Sequence, residues 1–223
     1  MKKLIASLIS GFLLVFAFAP FGAGFVAWAA FVPFMYAADG ASRKKGFLLG
    51  FAAGAAFFLS TLYWVVHSMY YYGGVPMLTA VAVMLVLVLY MSLYWGLFGW
   101  FLAAAGKSDD LVRVLMAPAA WVALEYAMAH LLTGFPWVLL GYSQASYLPL
   151  IQLADTTGVC GISFVIMAVN TALFLVVRRI RDDTAPSPAR AAIVAGALLI
   201  SVAVYGFMKM SLVDRNAADW TPI

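Results

Sequence analysis

The chain has 223 residues, of which 66% are hydrophobic and 10% are charged, and its mean hydropathy is +1.01. Soluble domains carry about 25% charged residues, so this composition excludes an ordinary soluble enzyme and indicates an integral membrane protein. The formal net charge of +4 comes from loop residues. It therefore reflects membrane topology and gives no reason to predict nucleic acid as a partner.

The apolar runs predict an all-α integral membrane protein, a bundle of about seven transmembrane helices, because each crossing needs about 20 apolar residues. The predicted spans are residues 4–19, 22–38, 47–70, 76–105, 111–132, 158–177 and 191–208. The first two form a hairpin around Pro20, and both are short for a full crossing. The start of the chain resembles a signal peptide, but Pro20 would follow the cleavage site, so we expect a retained anchor.

The distribution of basic residues predicts the orientation of these spans. Eleven of the thirteen Lys and Arg residues, Lys107 among them, fall in loops on one side, and only Lys209 and Arg215 fall on the other. Basic loops face the cytoplasm, so we expect a cytoplasmic N-terminus and a C-terminus outside. His67 and the tyrosines at 70–72 then lie at the outer face, as does the stretch that follows the fifth span.

Five polar residues in or next to the predicted spans are singled out as candidates for a specific role. Glu125, inside the fifth span, is costly in lipid and is either a structural carboxyl or a direct contact for substrate. His130 and His67, near the outer ends of two spans, either titrate or simply bond at the interface. Asp155 is predicted to cap the sixth span, and Asn170 to form hydrogen bonds between helices.

Small residues and the single cysteine are interpreted as packing groups. Gly46, Gly50 and Gly54 recur every four residues and predict the close approach of another helix. Cys160 begins an apolar span and has no base nearby, so we interpret it as a small packed side chain. The sequence contains no phosphate loop, zinc-protease motif or serine elbow, and we predict no catalytic residue, metal or cofactor within this chain.

The stretch between the fifth and sixth spans is uncharged, kinked and aromatic, and it carries a resemblance. "TGFPWVLLGYSQ", residues 133–144, resembles the signature of the apolipoprotein N-acyltransferase family. "FAPFG" at 18–22, "PAAWVALEY" at 118–126 and "PLIQLADTTGVCGISFVIMAVN" at 149–170 resemble further parts of that family in the same order. The similarity covers essentially the whole chain.

The resemblance implies a bacterial inner-membrane enzyme that completes lipoproteins. Its members transfer an acyl chain from a phospholipid, typically phosphatidylethanolamine, to the α-amine of a diacylglyceryl cysteine. They carry a periplasmic nitrilase-like domain with a Glu-Lys-Cys triad. This sequence departs from the pattern, because it stops where that domain would begin. Residues 209–223 would form a periplasmic linker towards it, and we expect the chain alone to be inactive, with the domain supplied in cis or in trans.

With this function in view, we hypothesise where lipids would bind. Gly134 and Pro136 would turn the chain back into the membrane. Phe135 and Trp137 would then pack against acyl chains, and the polar residues after them would bond head groups or dock the catalytic domain. The lipid-binding candidates are Phe135, Pro136, Trp137, Tyr142, Ser143, Gln144, Glu125, His67 and His130. The alternatives are a re-entrant plug that only packs, a small transporter or flippase-like protein, and a docking subunit for a separate soluble enzyme.

Overall fold

The computed structural model describes residues 1–106 and 108–218, and all the regular secondary structure in these ranges is helical. The α-helices are α1 (Lys2–Val15), α2 (Val32–Ala38), α3 (Arg43–Thr61), α4 (Trp64–His67), α5 (Met77–Ala104), α6 (Asp110–His130), α7 (Leu148–Ile151), α8 (Ala154–Arg181) and α9 (Ala189–Ala218). Short 3₁₀ helices cover Gly24–Trp28, Leu131–Thr133 and Leu140–Gln144, and a π-helix covers Ser68–Tyr72. Lys107 of the predicted basic loops and residues 219–223 of the predicted linker lie outside the described residues.

The structure does not support the predicted count of about seven spans. Within the described ranges, four helices are long and apolar enough to cross a membrane: Met77–Ala104, Asp110–Thr133, Ala154–Arg181 and Ala189–Val213. A fifth crossing is formed if α3 and the helical turn after it, which bend by 44°, are counted as one broken span.

The predicted first two spans are too short to be complete crossings. Helix α1 has 14 residues, about 21 Å at 1.5 Å per residue, whereas the hydrocarbon core is about 30 Å thick. The predicted second span is divided into a 3₁₀ helix and the seven-residue α2. The 3₁₀ helix packs against α1 and α8, and α2 packs against α1, α3 and α8.

Glycines allow α3 and α5 to pack closely, as their spacing predicts. A methyl group on Gly50 would meet the backbone carbonyl of Trp95, and one on Gly46 would meet the carbonyl of Gly99. A methyl on Gly54 would lie 2.8 Å from the Cβ of Trp95. The prediction of a close helix contact through these glycines is confirmed.

Ion pairs gather at one end of the bundle, which we call the basic end. Arg113 Nη2 lies 2.7 Å from a carboxylate oxygen of Asp39, and Arg178 Nη1 lies 3.3 Å from one of Asp110. These pairs join the end of α2, the start of α6 and the end of α8. Because removing charges from water is costly, each of these partly buried cations needs its carboxylate partner.

At the opposite end, Asp155 joins α8 to α9, and its predicted capping role is wrong. Leu153 precedes α8 and makes no side-chain capping bond. The Asp155 carboxylate instead accepts a hydrogen bond of 2.8 Å from the Tyr205 hydroxyl and lies 2.7 Å from Lys209 Nζ. Asp155 lies inside the first helical turn and not at the N-cap position, so its carboxylate is directed to α9 instead.

We expect Gly50→Ala to lower the thermal stability of the protein, because the added methyl would collide with the Trp95 carbonyl and overpacking costs about 1–3 kcal/mol. Thermal unfolding in detergent, followed by circular dichroism, measures this. Gly196→Ala in α9 is the control, since nothing lies within 4 Å of the position that its methyl would take. Equal losses in both variants would contradict close packing as the cause.

Candidate functional site

Residues 131–147, which we call the connecting segment, leave the helical path between α6 and α7. Leu132, Thr133 and Val138 have φ angles of 51°, 74° and 53°, in the left-handed region that non-glycine residues avoid. Such residues cost on the order of 1–3 kcal/mol each and persist only where surrounding contacts hold them. Gly134, with φ of 74°, is placed where a Cβ would collide with the Ala129 carbonyl.

Glu125 fixes the connecting segment through a hydrogen bond with its backbone. Its side chain is buried, and Oε1 accepts a hydrogen bond of 2.6 Å from the backbone N–H of Leu140. The next backbone N–H, of Gly141, donates to Ser163 Oγ at 2.9 Å. Because the first N–H groups of a helical turn lack partners within it, these two side chains supply the acceptors that the segment needs in an apolar surrounding.

The surroundings of Glu125 leave little room for a ligand. Its Oε2 is buried and accepts no hydrogen bond from the described residues. The cavity beside it, bounded by Trp121, Met128 and Leu140 among others, has a volume of about 10 Å³. That is the space of about one water molecule and far too small for an acyl chain. Glu125 therefore positions the backbone of the connecting segment.

Gln144 anchors the other end of the segment. It is fully buried; its Oε1 accepts from Trp28 Nε1 at 3.1 Å, and its Nε2 donates to the Gly24 carbonyl at 2.9 Å. Ser143 is also buried, and its hydroxyl donates to the Leu140 carbonyl at 2.6 Å. These two candidates thus have their partners inside the protein, and of residues 142–144 only Tyr142 reaches the surface.

A groove of about 860 Å³, which we call the Trp137 groove, lies where the connecting segment meets two other breaks in the helices. Its walls come from the end of α1 and the turn after it, from the α3–α4 bend, and from the connecting segment. The lining residues are Val15, Phe18, Ala19, Pro20, Phe21, Ser60, Thr61, Tyr63, Trp64, Pro136, Trp137, Val138 and Tyr142. Among these residues there is no charged side chain.

Aromatic rings shape the groove. The rings of Trp137 and Trp64 lie 5.0 Å apart, and the side chains of Trp137 and Tyr142 are 47% and 48% exposed. The hydroxyls of Ser60 and Thr61 already donate to carbonyls one helical turn earlier. The walls are therefore chiefly apolar, and the tyrosine hydroxyls are their available polar groups.

The remaining candidates lie outside the groove lining. Phe135 is half-buried against the core, with its ring 5.9 Å from that of Trp137. His130 is exposed and stacks on Tyr126 at 4.1 Å. His67 is also exposed, and its ring lies 4.4 Å from that of Tyr71. Both histidines thus make contacts within their own stretch of chain.

Sequence reasoning missed Tyr63 and Trp64 as parts of this site. They were placed inside one continuous span, 47–70, because no Gly, Pro or charge marks the bend after Thr61. Cys160 is half-buried in α8, as expected of a packed residue. The described residues include no group of three or more His, Cys, Asp or Glu that could hold a metal ion.

The fold and the groove define the class: a helical membrane protein with several apolar spans and an uncharged groove near one end. Residues 10–172 match the model of the apolipoprotein N-acyltransferase N-terminal domain. The chain therefore belongs to the apolipoprotein N-acyltransferase family, and the resemblance found in its motifs is confirmed.

Individual relatives agree with this assignment. The chain is 36% identical over 217 residues to the apolipoprotein N-acyltransferase of Geobacter metallireducens, with 97% of this chain and 42% of that protein covered. It is 38% identical over 176 residues to the enzyme of that name from Methylococcus capsulatus, with 78% and 34% covered. The chain thus spans less than half the length of the relatives that it matches.

We expect Glu125→Ala to destabilise the protein, because it leaves the buried N–H of Leu140 without an acceptor, at a cost of about 1–3 kcal/mol. Glu125→Gln keeps an amide oxygen at this position and should lose much less. Thermal unfolding measures the stability, and hydrogen exchange of residues 131–147 reports the local effect. A Gln variant as unstable as the Ala variant would show that the charge, and not the acceptor, matters.

Proposed function

We propose that this chain is the membrane part of a bacterial apolipoprotein N-acyltransferase and that the Trp137 groove binds the phospholipid acyl donor. The reaction would move an acyl chain from a lipid of the phosphatidylethanolamine type to the α-amine of a diacylglyceryl cysteine. The observation that carries the proposal is the uncharged, aromatic groove, one wall of which is formed by the segment that resembles the family signature.

The groove has the physical properties that such a donor requires. Acyl chains need apolar walls, which Phe18, Phe21 and Val138 supply. A zwitterionic head group needs hydrogen-bonding groups without net charge, because a charged wall would have to be desolvated on binding. The hydroxyls of Tyr63 and Tyr142 meet that need, and aromatic residues favour the membrane interface. The volume lies within the range of about 300–1,000 Å³ that is typical of ligand pockets.

The proposal separates contact residues from positioning residues. Pro136, Trp137 and Tyr142 line the groove and would touch the lipid. Glu125 and Gln144 act through the backbone, since both are buried and bonded to it. Ser143 and Phe135 support the segment from within, and His67 and His130 have no part in the groove.

The position of the groove suits catalysis from the outer face of the inner membrane. The basic loops favour a cytoplasmic basic end, which puts the Trp137 groove in the periplasmic half. Helix α9 starts at the basic end and runs through Lys209, next to Asp155, towards the groove end. A nitrilase-like domain that follows α9 in cis, or docks in trans, would therefore be near the groove with its Glu-Lys-Cys triad.

The reaction can be tested in cells that lack their own apolipoprotein N-acyltransferase. We expect the 223-residue chain alone to leave a reporter lipoprotein without the N-acyl group, and its fusion to the remaining part of the Geobacter metallireducens relative to restore that group. Mass spectrometry of the N-terminal lipopeptide distinguishes the two forms. A chain that moves lipid between leaflets but never supports acylation would favour the flippase-like alternative.

The lipid site can be tested with a phosphatidylethanolamine whose acyl chain carries a photoreactive diazirine. We expect labelled peptides from residues 60–64 and 136–142, and several-fold less labelling in Trp137→Ala because a wall of the groove is lost. Trp100→Ala is the matched control, since Trp100 is similarly exposed, at 44%, and lies on α5 outside the groove. Unchanged labelling in Trp137→Ala with normal protein levels would favour a plug that only packs.

A further inference from the structure

A second groove lies at the basic end, between the first turn of α1, helix α2 and the last turn of α8. Its volume is about 470 Å³, and we call it the basic groove. Lys2, Lys3 and Arg181 line it together with Tyr36. Val32 and Val177 are part of its apolar wall. The groove thus combines three cations with an apolar surface, as an amphiphile with an acidic head would require.

The three cations have no carboxylate partner within the described part of the chain. Lys3 Nζ donates to the backbone carbonyl of Asp39 at 2.9 Å, and the Arg181 guanidinium lies over the Tyr36 ring, 4.9 Å from its centroid. These contacts fix the two side chains in the groove without neutralising them.

Two nearby acidic side chains, Asp39 and Asp182, have partners outside the groove lining. The Asp39 carboxylate pairs with Arg113 and Arg178, at 2.7 and 3.9 Å. Asp182, next to Arg181 in the chain, accepts hydrogen bonds from the backbone N–H and the hydroxyl of Thr184. The residues that line the groove therefore carry three cations and no carboxylate.

We infer that the basic groove binds an anionic phospholipid of the cytoplasmic leaflet, with the phosphodiester between Lys2, Lys3 and Arg181 and an acyl chain against Val32 and Val177. The first turn of α1 adds unpaired backbone N–H groups at the positive end of a 14-residue helix. A zwitterionic lipid is disfavoured, because its own ammonium meets the same cations. This inference rests on the proposed membrane orientation and is independent of acyl transfer.

The inference predicts selective lipid binding by the 223-residue chain. The purified protein is titrated with phosphatidylglycerol in a background of phosphatidylethanolamine with the same acyl chains, and bound lipid is counted by native mass spectrometry. We expect retained phosphatidylglycerol, and about 100-fold weaker binding in the triple variant Lys2→Gln, Lys3→Gln, Arg181→Gln, since each basic residue contributes about fivefold.

A matched triple variant separates this site from diffuse attraction. Lys44→Gln, Lys45→Gln, Arg190→Gln removes the same charge from the basic end but leaves the groove lining intact. We expect it to keep most of the binding, and an equal loss in both triples would overturn the inference. Binding of glycerophosphate as strong as that of the lipid would also overturn it, because the site would then need no membrane lipid.

Two single variants keep the test decisive if the groove triple does not fold, as judged by circular dichroism. Arg181→Gln is compared with Arg190→Gln, and only the first should weaken phosphatidylglycerol binding. Val32→Trp narrows the groove without changing its charge and should weaken binding too. Unchanged binding in both Arg181→Gln and Val32→Trp would overturn the inference. Because these experiments measure lipid binding and not acyl transfer, a negative result would count against the basic groove alone and not against the proposed acyltransferase function.

Discussion

Every backbone N–H and C=O group inside a membrane needs a partner, and this constraint governs the parts of the protein that are not helical. The chain breaks its helices after α1 and after α6, where a plain α-helix would satisfy itself. Buried side chains from distant parts of the sequence supply the missing hydrogen-bond partners for the backbone. They are Ser10, Glu125, Gln144, Ser163 and Asn170. The Trp137 groove lies where these helices end, since its walls include residues that follow α1 and residues that follow α6.

Asn170 supplies three of these hydrogen bonds from a single side chain. Its Oδ1 accepts from the Phe31 N–H at 2.9 Å, while its Nδ2 donates to the carbonyls of Ala27 and Ile166. One α8 side chain therefore fixes the whole turn between the first 3₁₀ helix and α2. Because these bonds join α8 to two other helices, the predicted interhelical role of Asn170 is confirmed.

The two ends of the bundle differ in charge, and the groove at each end suits a different kind of lipid. At the basic end, carboxylates and guanidiniums pair across α2, α6 and α8, and the remaining cations face the basic groove. At the other end, the Trp137 groove is lined without charge. A zwitterionic donor on one side and an anionic lipid on the other would thus meet surfaces of matching chemistry.

Composition and apolar length determined the class of protein and the spans now seen as α5, α6, α8 and α9, and the spacing of three glycines determined the close contact of α3. The motifs around Trp137 determined the family. Only the tertiary structure decided that the first two predicted spans are short, that Trp64 faces Trp137, and that Gln144 is buried by Trp28. The reason is physical: apolar residues look alike whether they face lipid or protein. A hydrogen bond across 116 residues of chain leaves no local pattern to read.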